Sequence, residues 1–354
     1  MKPVLTDAVK TEMRMAQLMA QQQASGFRFD LNAAERVREE LSKRQSKLER
    51  QLGETYRYYP GKVFTPKRTD KKSGYVAGAP MTKLVDFNPT SRQHIAWCLQ
   101  TFRGARFTKM TDTGKPKVDE ATLSEVRDMA IQQGNDKLKV DCERFLELLS
   151  LQKDMGQLSE GSNSWLNSVE ESGCIHHSCS LATVTGRNAH RGPNLGQVKS
   201  SEWARQLFIP HPGHVMVGGD LDSLELRCLG HYLSRYDDGN FSKVVVEGDI
   251  HAQNAFRVGC ERSEVKSLTY AFLYGSGDLK LGHIFKPEWS DAKKKSLGKS
   301  LRKKFEDAIP GLKPLVDAVK MKVREQGRLR GLDGRPIFCR AEHSGLNFLL
   351  QRTQ

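Results

Sequence analysis

Over the first 150 residues, apolar side chains recur every third or fourth position between charged ones, the spacing of amphipathic helices. Val9, Met13, Ala16 and Met19/Ala20 mark one face of a helix over 8–24. Ser25-Gly26-Phe27-Arg28-Phe29-Asp30 interrupts it, and Asn32 with Glu35 three residues on makes a capping-box signature for a second helix. That helix carries Val37, Leu41, Leu48 and Leu52 near heptad spacing. Leu138, Cys142, Phe145 and Leu149 repeat the stripe within 134–153. Two such stripes predict a pair of long helices packed side by side as an arm. Between them, 57–80 is rich in Tyr, Pro, Gly and Lys and reads as a mobile basic loop with Lys62, Lys67, Arg68, Lys71 and Lys72. Solvation is the ordinary fate of such a charge run, and phosphate contact is the functional alternative. Shorter helices are expected from Phe87-Asn88-Pro89-Thr90-Ser91-Arg92 onward and over 118–132.

From Ile175 the pattern changes to short strands and turns. Val215-Met216-Val217 reads as a strand that runs through Gly218-Gly219 into Asp220, with a helix over 224–235 behind it. Gly248-Asp249-Ile250-His251 opens another helix, Arg262 to Tyr274 a third, and 290–326 basic helices around Pro310-Gly311. Arg328 to Phe338 reads as a β-ribbon turning at Asp333-Gly334, and His343 to Gln354 as a final helix. The cluster Cys174-Ile175-His176-His177-Ser178-Cys179 matches no usual structural zinc spacing, and adjacent strand residues face opposite ways, so no metal is expected there.

Composition sharpens this outline. At 354 residues the chain can bury two or three cores, and its formal charge of +14 points to a polyanionic partner, most simply nucleic acid. Seven cysteines, an odd number, do not form a disulfide framework, and a reducing cytoplasm is the natural compartment. The opening residues lack a signal peptide's apolar core, and no run approaches the roughly 18 apolar residues a membrane span needs, so no membrane partner is expected.

Candidate chemistry gathers in three places. An acid at the end of a strand, as Asp220 is predicted to be, suits a catalytic metal ion. Arg262, Lys266 and Tyr270 lie at i, i+4 and i+8, so one helix face offers two cations for a triphosphate and then a ring for a base. His343, Asn347 and Gln351 repeat that spacing, and with Arg187, Asn194 and Gln197 they could donate to the acceptors every base pair shows in the minor groove. Taken singly, each set reads first as an ordinary polar surface. Gly275-Ser276-Gly277 lacks the Lys-Ser/Thr ending of a P-loop.

Together these segments resemble the family A DNA polymerases. Val217-Gly218-Gly219-Asp220 followed by Leu224-Glu225-Leu226-Arg227 is similar to motif A, and Arg262, Lys266, Tyr270, Tyr274 and Gly275 to motif B. Thr185-Gly186-Arg187 and Pro193-Asn194-Leu195 with Gln197 match the primer–template segment. Gly331, Gly334 and Arg335, then His343, Asn347 and Gln351, match the stretch after the fingers. Tyr75-Val76-Ala77-Gly78-Ala79-Pro80, Phe87-Asn88-Pro89 and Gly248-Asp249-Ile250-His251 look most like the polymerases of short-tailed bacteriophages.

The resemblance implies an α+β, mostly helical right-hand fold: a thumb over 1–154 with the loop at 57–80, the first half of a palm over 155–232, fingers over 233–342 and the start of a second palm segment over 343–354. It implies template-directed nucleotidyl transfer from dNTP to a primer 3′-OH, in the cytoplasm of an infected bacterium. Asp220 would bind both catalytic Mg2+ ions and the Leu221 carbonyl one of them. Arg262 and Lys266 would hold the triphosphate, Tyr270 would stack at the nascent pair, and His251 would sit near the incoming phosphates. Glu225 would exclude a 2′-hydroxyl. Arg187, Asn194, Gln197, His343, Asn347 and Gln351 would line the duplex minor groove. Tyr270, where other members carry Phe, implies acceptance of dideoxynucleotides.

Departures from the pattern set further expectations. The family's second metal-binding acid lies in a His-Asp-Glu hairpin that this sequence does not contain, so a second chain is expected to supply it as the partner in a split polymerase. A non-catalytic primer–template and dNTP binder, or a truncated polymerase, is the alternative. No exonuclease segment precedes the thumb in this sequence, and the loop at 57–74 is shorter than the insertion that recruits thioredoxin, which argues against that partner.

Overall fold

The computed structural model describes residues 6–286 and 289–353, which fall into two compact units. Residues 1–5, at the start of the segment read for a signal peptide, and residue 354, where the sequence predicts the final helix to end, lie outside the described residues.

One unit comprises residues 27–175 and 199–209. The two apolar stripes form the helices Leu31–Tyr56 and Asp136–Met155, which pack along each other. Leu41, Leu48 and Leu52 of the first and Leu138, Cys142, Phe145 and Leu149 of the second are all buried. Each fully buried Leu or Phe contributes about 1.5–3 kcal/mol relative to exposure, so the stripes are the main stabilising surface of the pair. The capping box expected at Asn32 does not form. Asp30 caps the helix instead, accepting from the Ala33 N–H at 2.9 Å. An aspartate two residues upstream satisfies the same orphan donors, and Asn32 becomes an exposed first-turn residue.

Where the stripes meet, the buried carboxylate of Asp141 accepts from the Tyr56 hydroxyl and from Arg103 Nε, both at 2.6 Å, with Arg144 at 3.4 Å. Burial raises the Tyr56 pKa and the neighbouring carboxylate raises it further, so the phenol stays a proton donor. The segment 57–80 is only partly a loop. Tyr58–Phe64 pairs antiparallel with Met81–Asp86, leaving the basic stretch with Lys67, Arg68, Lys71 and Lys72 at the hairpin tip. Pro60-Gly61 and the register shift between Pro60 and Val63 break the alternation that would announce a strand. Tyr59 stacks on His94 at 3.8 Å.

The other unit comprises residues 1–26, 176–198 and 210–354, so the helix Asp7–Ser25 groups with the later segments rather than with the helical pair. Its core is shared by the helices Leu224–Asp237, Ile250–Val258, Arg262–Leu273, Asp291–Ala308 and Leu312–Gln326, through Leu229, Leu233, Leu268, Phe305 and Leu312. The helices Asp278–Phe285 and Asp291–Ala308 touch backbone to backbone. A Cβ on Gly298 would fall 1.7 Å from the Asp278 carbonyl oxygen, and one on Gly282 would fall 1.9 Å from that of Lys294, so both positions require glycine. The ribbon Arg328–Arg330 with Pro336–Phe338 forms as the sequence predicts. All seven cysteines are free, and among the described residues no helix is long and apolar enough to cross a membrane.

One predicted element is missing. Val215-Met216-Val217 is not a strand but an exposed loop, with Val215 at 82% and Val217 at 88% exposure. A strand exists only where a neighbour takes its N–H and C=O groups, and no described segment pairs with this one.

Candidate functional site

The helix Arg262–Leu273 starts at a reciprocal cap, in which Glu261 caps the first turn and Glu264 Oε2 accepts from the Glu261 N–H at 2.9 Å. Val265, Leu268, Thr269 and Phe272 bury one face. The opposite face presents Arg262 and Lys266 to solvent and leaves Tyr270 half-buried, as the i, i+4, i+8 spacing predicts. Arg262 Nε donates to Asp249 Oδ2 at 2.8 Å, and this guanidinium lowers the Asp249 carboxyl's pKa.

Asp249 also caps the helix Ile250–Val258, accepting from the His251 and Ala252 N–H groups at 3.0 Å each. That cap turns the His251 ring beneath the cationic face, 6.1 Å from the Tyr270 ring. Burial lowers the His251 pKa, and Arg262 and Lys266 lower it further against the opposing pull of Asp249 and Asp222. His251 is therefore a neutral imidazole at neutral pH. Its Nδ1 and both amide atoms of Asn254, one turn on, are buried without hydrogen-bond partners among the described residues. Such atoms also occur at Gln45, Ser164 and Ser201, so it is their place beside the cationic helix face that makes His251 and Asn254 candidates. Asn254 escaped sequence reading because its only signal is a polar residue on a buried helix face.

Glu225, in the first turn of Leu224–Asp237, accepts from the Tyr274 hydroxyl at 3.2 Å and lies 3.6 Å from the Arg187 guanidinium. Burial and then Glu225 raise the Tyr274 pKa. Burial, then Glu225 and Asp222, raise that of Tyr270. Asp222, Glu225 and Asp249, the two tyrosines, His251, Arg262 and Lys266 thus interact within the same unit.

A second feature of that unit is a cleft of about 900 Å³, lined by Arg187, Asn194, Gln197 and Gln351 of the predicted set. Glu12, Arg335 and Arg352 also line it, and Glu12 pairs with both arginines. Glu12 carried no sequence signal, because its helix shares this cleft only through the tertiary fold. His343 does not join the cleft. It borders a separate cavity of about 410 Å³ with Gly275 and Arg302, and Asn347 lines neither. His343 lies in the 3-10 turn Glu342–Ser344, ahead of the α-helix that carries Asn347 and Gln351 from Gly345 on, so the i, i+4 spacing does not extend back to it.

Asp220 and Leu221 are exposed on the loop before Leu224. Their carboxylate and carbonyl oxygens are the hard donors that suit Mg2+. Among the described residues, however, no cluster of three or more candidate ligand side chains includes Asp220. The donors fit in kind; a two-ion site also needs a further carboxylate.

Comparison with known proteins identifies the family and the fold. The model of DNA polymerase family A matches residues 73–348, most of the chain, and the chain belongs to that family. It is 34% identical over 418 residues to the DNA-directed DNA polymerases of Enterobacteria phage T3 and of Escherichia phage T7, alignments that take in 98% of this chain and 57% of each relative. The chain therefore spans a little over half the length of the curated relatives it matches. Among solved structures, the POL domain of Pol1 from M. smegmatis in complex with DNA primer-template and dNTP superposes with a TM-score of 0.68, at 18% identity, over 95% of this chain and 56% of that one. The fold is that of a family A polymerase domain, mostly helical with few short strands.

Proposed function

We propose that this chain supplies the primer–template and nucleotide grip of a DNA-directed DNA polymerase that transfers a nucleotide from a dNTP to a primer 3′-OH. The observation that carries this reading is the convergence of Arg262, Lys266 and Tyr270 on one helix face over a neutral, buried His251 and beside Glu225. The thumb is assigned to 1–154, the first palm half to 155–232, the fingers to 233–342 and the second palm segment to 343–354.

Arg262 and Lys266 bind the triphosphate and offset the charge that grows on the leaving pyrophosphate. Tyr270 stacks on the nascent pair, half-buried and so held in place. His251 donates to a phosphate oxygen as a neutral group, where a second charge beside Arg262 would be costly. Glu225, tied to Tyr274, fills the space beside the sugar and favours dNTP over rNTP. Arg187, Asn194, Gln197 and Gln351 contact the minor groove from their shared cleft and check pair shape without reading sequence. Mg2+ held by Asp220 and the Leu221 carbonyl would supply Lewis-acid activation of the 3′-OH and of the phosphate. A carboxylate from a further polypeptide segment would complete that centre.

The test is primer extension with Mg2+ and all four dNTPs, by this chain alone and with a chain carrying a His-Asp-Glu palm segment. Extension only in the mixture supports the reading. Full extension by this chain alone removes the second polypeptide, and failure to bind primer–template in either case removes the reading altogether. A non-catalytic primer–template binder is the second reading, favoured by the lack of a carboxylate cluster at Asp220 among the described residues. It predicts tight DNA binding and no extension in either arm.

A further inference from the structure

The strands Ser178–Ser180 and Ala189–Arg191 pair antiparallel, with Cys179 directly opposite His190. His177 lies two residues before Cys179 and so shares its face, by the two-residue period of extended chain. His177 Nε2 stands 3.1 Å from His190 Nδ1 and 3.1 Å from Cys179 Sγ, and Cys179 Sγ stands 3.2 Å from His190 Nδ1. Three potential ligand atoms thus form a nearly equilateral triangle.

Protons alone do not account for that triangle. A neutral imidazole nitrogen is either a donor or an acceptor, and only the thiol can be both. At most two of the three edges can then be full hydrogen bonds at once, whereas a single cation accepts all three lone pairs together. The size also fits. Zn–N of about 2.0–2.1 Å and Zn–S of about 2.3 Å at tetrahedral angles put ligand atoms about 3.3–3.6 Å apart, within a few tenths of an ångström of the distances seen. The rings are held in this arrangement. His177 is 3% exposed and stacks on His190 with centroids 5.2 Å apart, and a Cβ on Gly196 would fall 2.8 Å from His190 Cδ2.

We propose that His177, Cys179 and His190 bind one thiophilic divalent cation, Zn2+ before others, with water in the fourth position. The proposal does not rest on the polymerase reading. Thiolate with imidazole selects a borderline-soft metal over Mg2+, so this site is chemically distinct from the oxygen donors at Asp220 and Leu221. The cation clips the two strands whose connecting loop carries Thr185, Gly186 and Arg187, and His190 itself lines the cleft of about 900 Å³. Sequence reading passed over the site because His177 and Cys179 are only two of its ligands, and the third lies across the hairpin.

Cobalt substitution in the full chain tests this, with excess Mg2+ present to occupy oxygen sites. One equivalent of Co2+ should bind with a thiolate-to-cobalt charge-transfer band. Cys179→Ser should abolish the band, and His190→Asn should weaken binding at least roughly tenfold, while Cys260→Ser leaves both unchanged. Zn2+ should raise the Tm of the parent chain and of Cys260→Ser but not of His190→Asn, a readout that stands even if Cys179→Ser misfolds. Absence of a thiolate band in the parent chain, its survival in Cys179→Ser, or an equal Zn2+ shift in parent and His190→Asn overturns the proposal.

Discussion

The two compact units use polar residues in opposite ways. In the unit of residues 27–175 and 199–209, charge is buried and consumed internally. Asp141 is held by Tyr56, Arg103 and Arg144, and Asp154 takes Lys199 Nζ at 2.9 Å on both oxygens. In the other unit the corresponding groups border solvent or a cleft. Arg262 and Lys266 are exposed, and Arg187, Asn194, Gln197 and Gln351 line a cleft. A polar group whose valences are filled by neighbours fixes a scaffold, and one left partly unfilled costs stability and gains a ligand. The first unit uses charge to hold its shape, and the second carries charge at its surface and along a cleft.

The strongest way to break that contrast is to empty the scaffold network. Asp141→Ala leaves Arg103 and Tyr56 uncompensated and should cost about 3–5 kcal/mol, read from the urea midpoint at constant slope. A loss below about 1 kcal/mol would place Asp141 with ordinary surface acids. Next, Lys266→Ala should lower extension by the complemented enzyme roughly 10²–10³-fold while stability stays within about 0.5 kcal/mol of the parent. An equal loss of stability would make that face part of the scaffold. Glu225→Ala removes the Tyr274 hydrogen bond, worth about 1 kcal/mol, and should raise the ratio of rNTP to dNTP incorporation in a competition assay. Arg187→Ala should weaken primer–template binding evenly across sequences and reduce the salt slope of log K by about 1, measured by anisotropy at several salt concentrations.

The smallest effect is on pH. The folded-state pKa of His251 lies below its unfolded value, because burial and two cations oppose its charged form. The unfolded chain therefore binds more protons in the window between them. Stability contributed here is complete above the unfolded value of about 6.5 and is lost as pH falls through the lowered folded value. His251→Phe should flatten the decline of the unfolding free energy below about pH 6.5 relative to the parent.

Helix-borne chemistry was legible because it is local. Once Arg262, Lys266 and Tyr270 lie on a helix, their common face follows from 3.6 residues per turn. The same rule failed at His343, which lies in a 3-10 turn ahead of the α-helix, and at Asn32, where Asp30 competed for the same cap. The hairpin at Tyr58–Phe64 was hidden by Pro60-Gly61.

By itself, then, the sequence determined the helical pair, the cationic helix face and the motifs that mark the family, since each depends on spacing within one element. Tertiary structure alone decided that Glu12 shares a cleft with Gln351, that Glu225 meets both Tyr274 and Arg187, and that His190 completes a triangle with His177 and Cys179. It also left Val215-Met216-Val217 exposed, because a strand needs a partner that no local pattern of apolar residues can supply. Contacts between distant segments follow from burial and backbone pairing across the whole unit, and a short window of residues does not contain them.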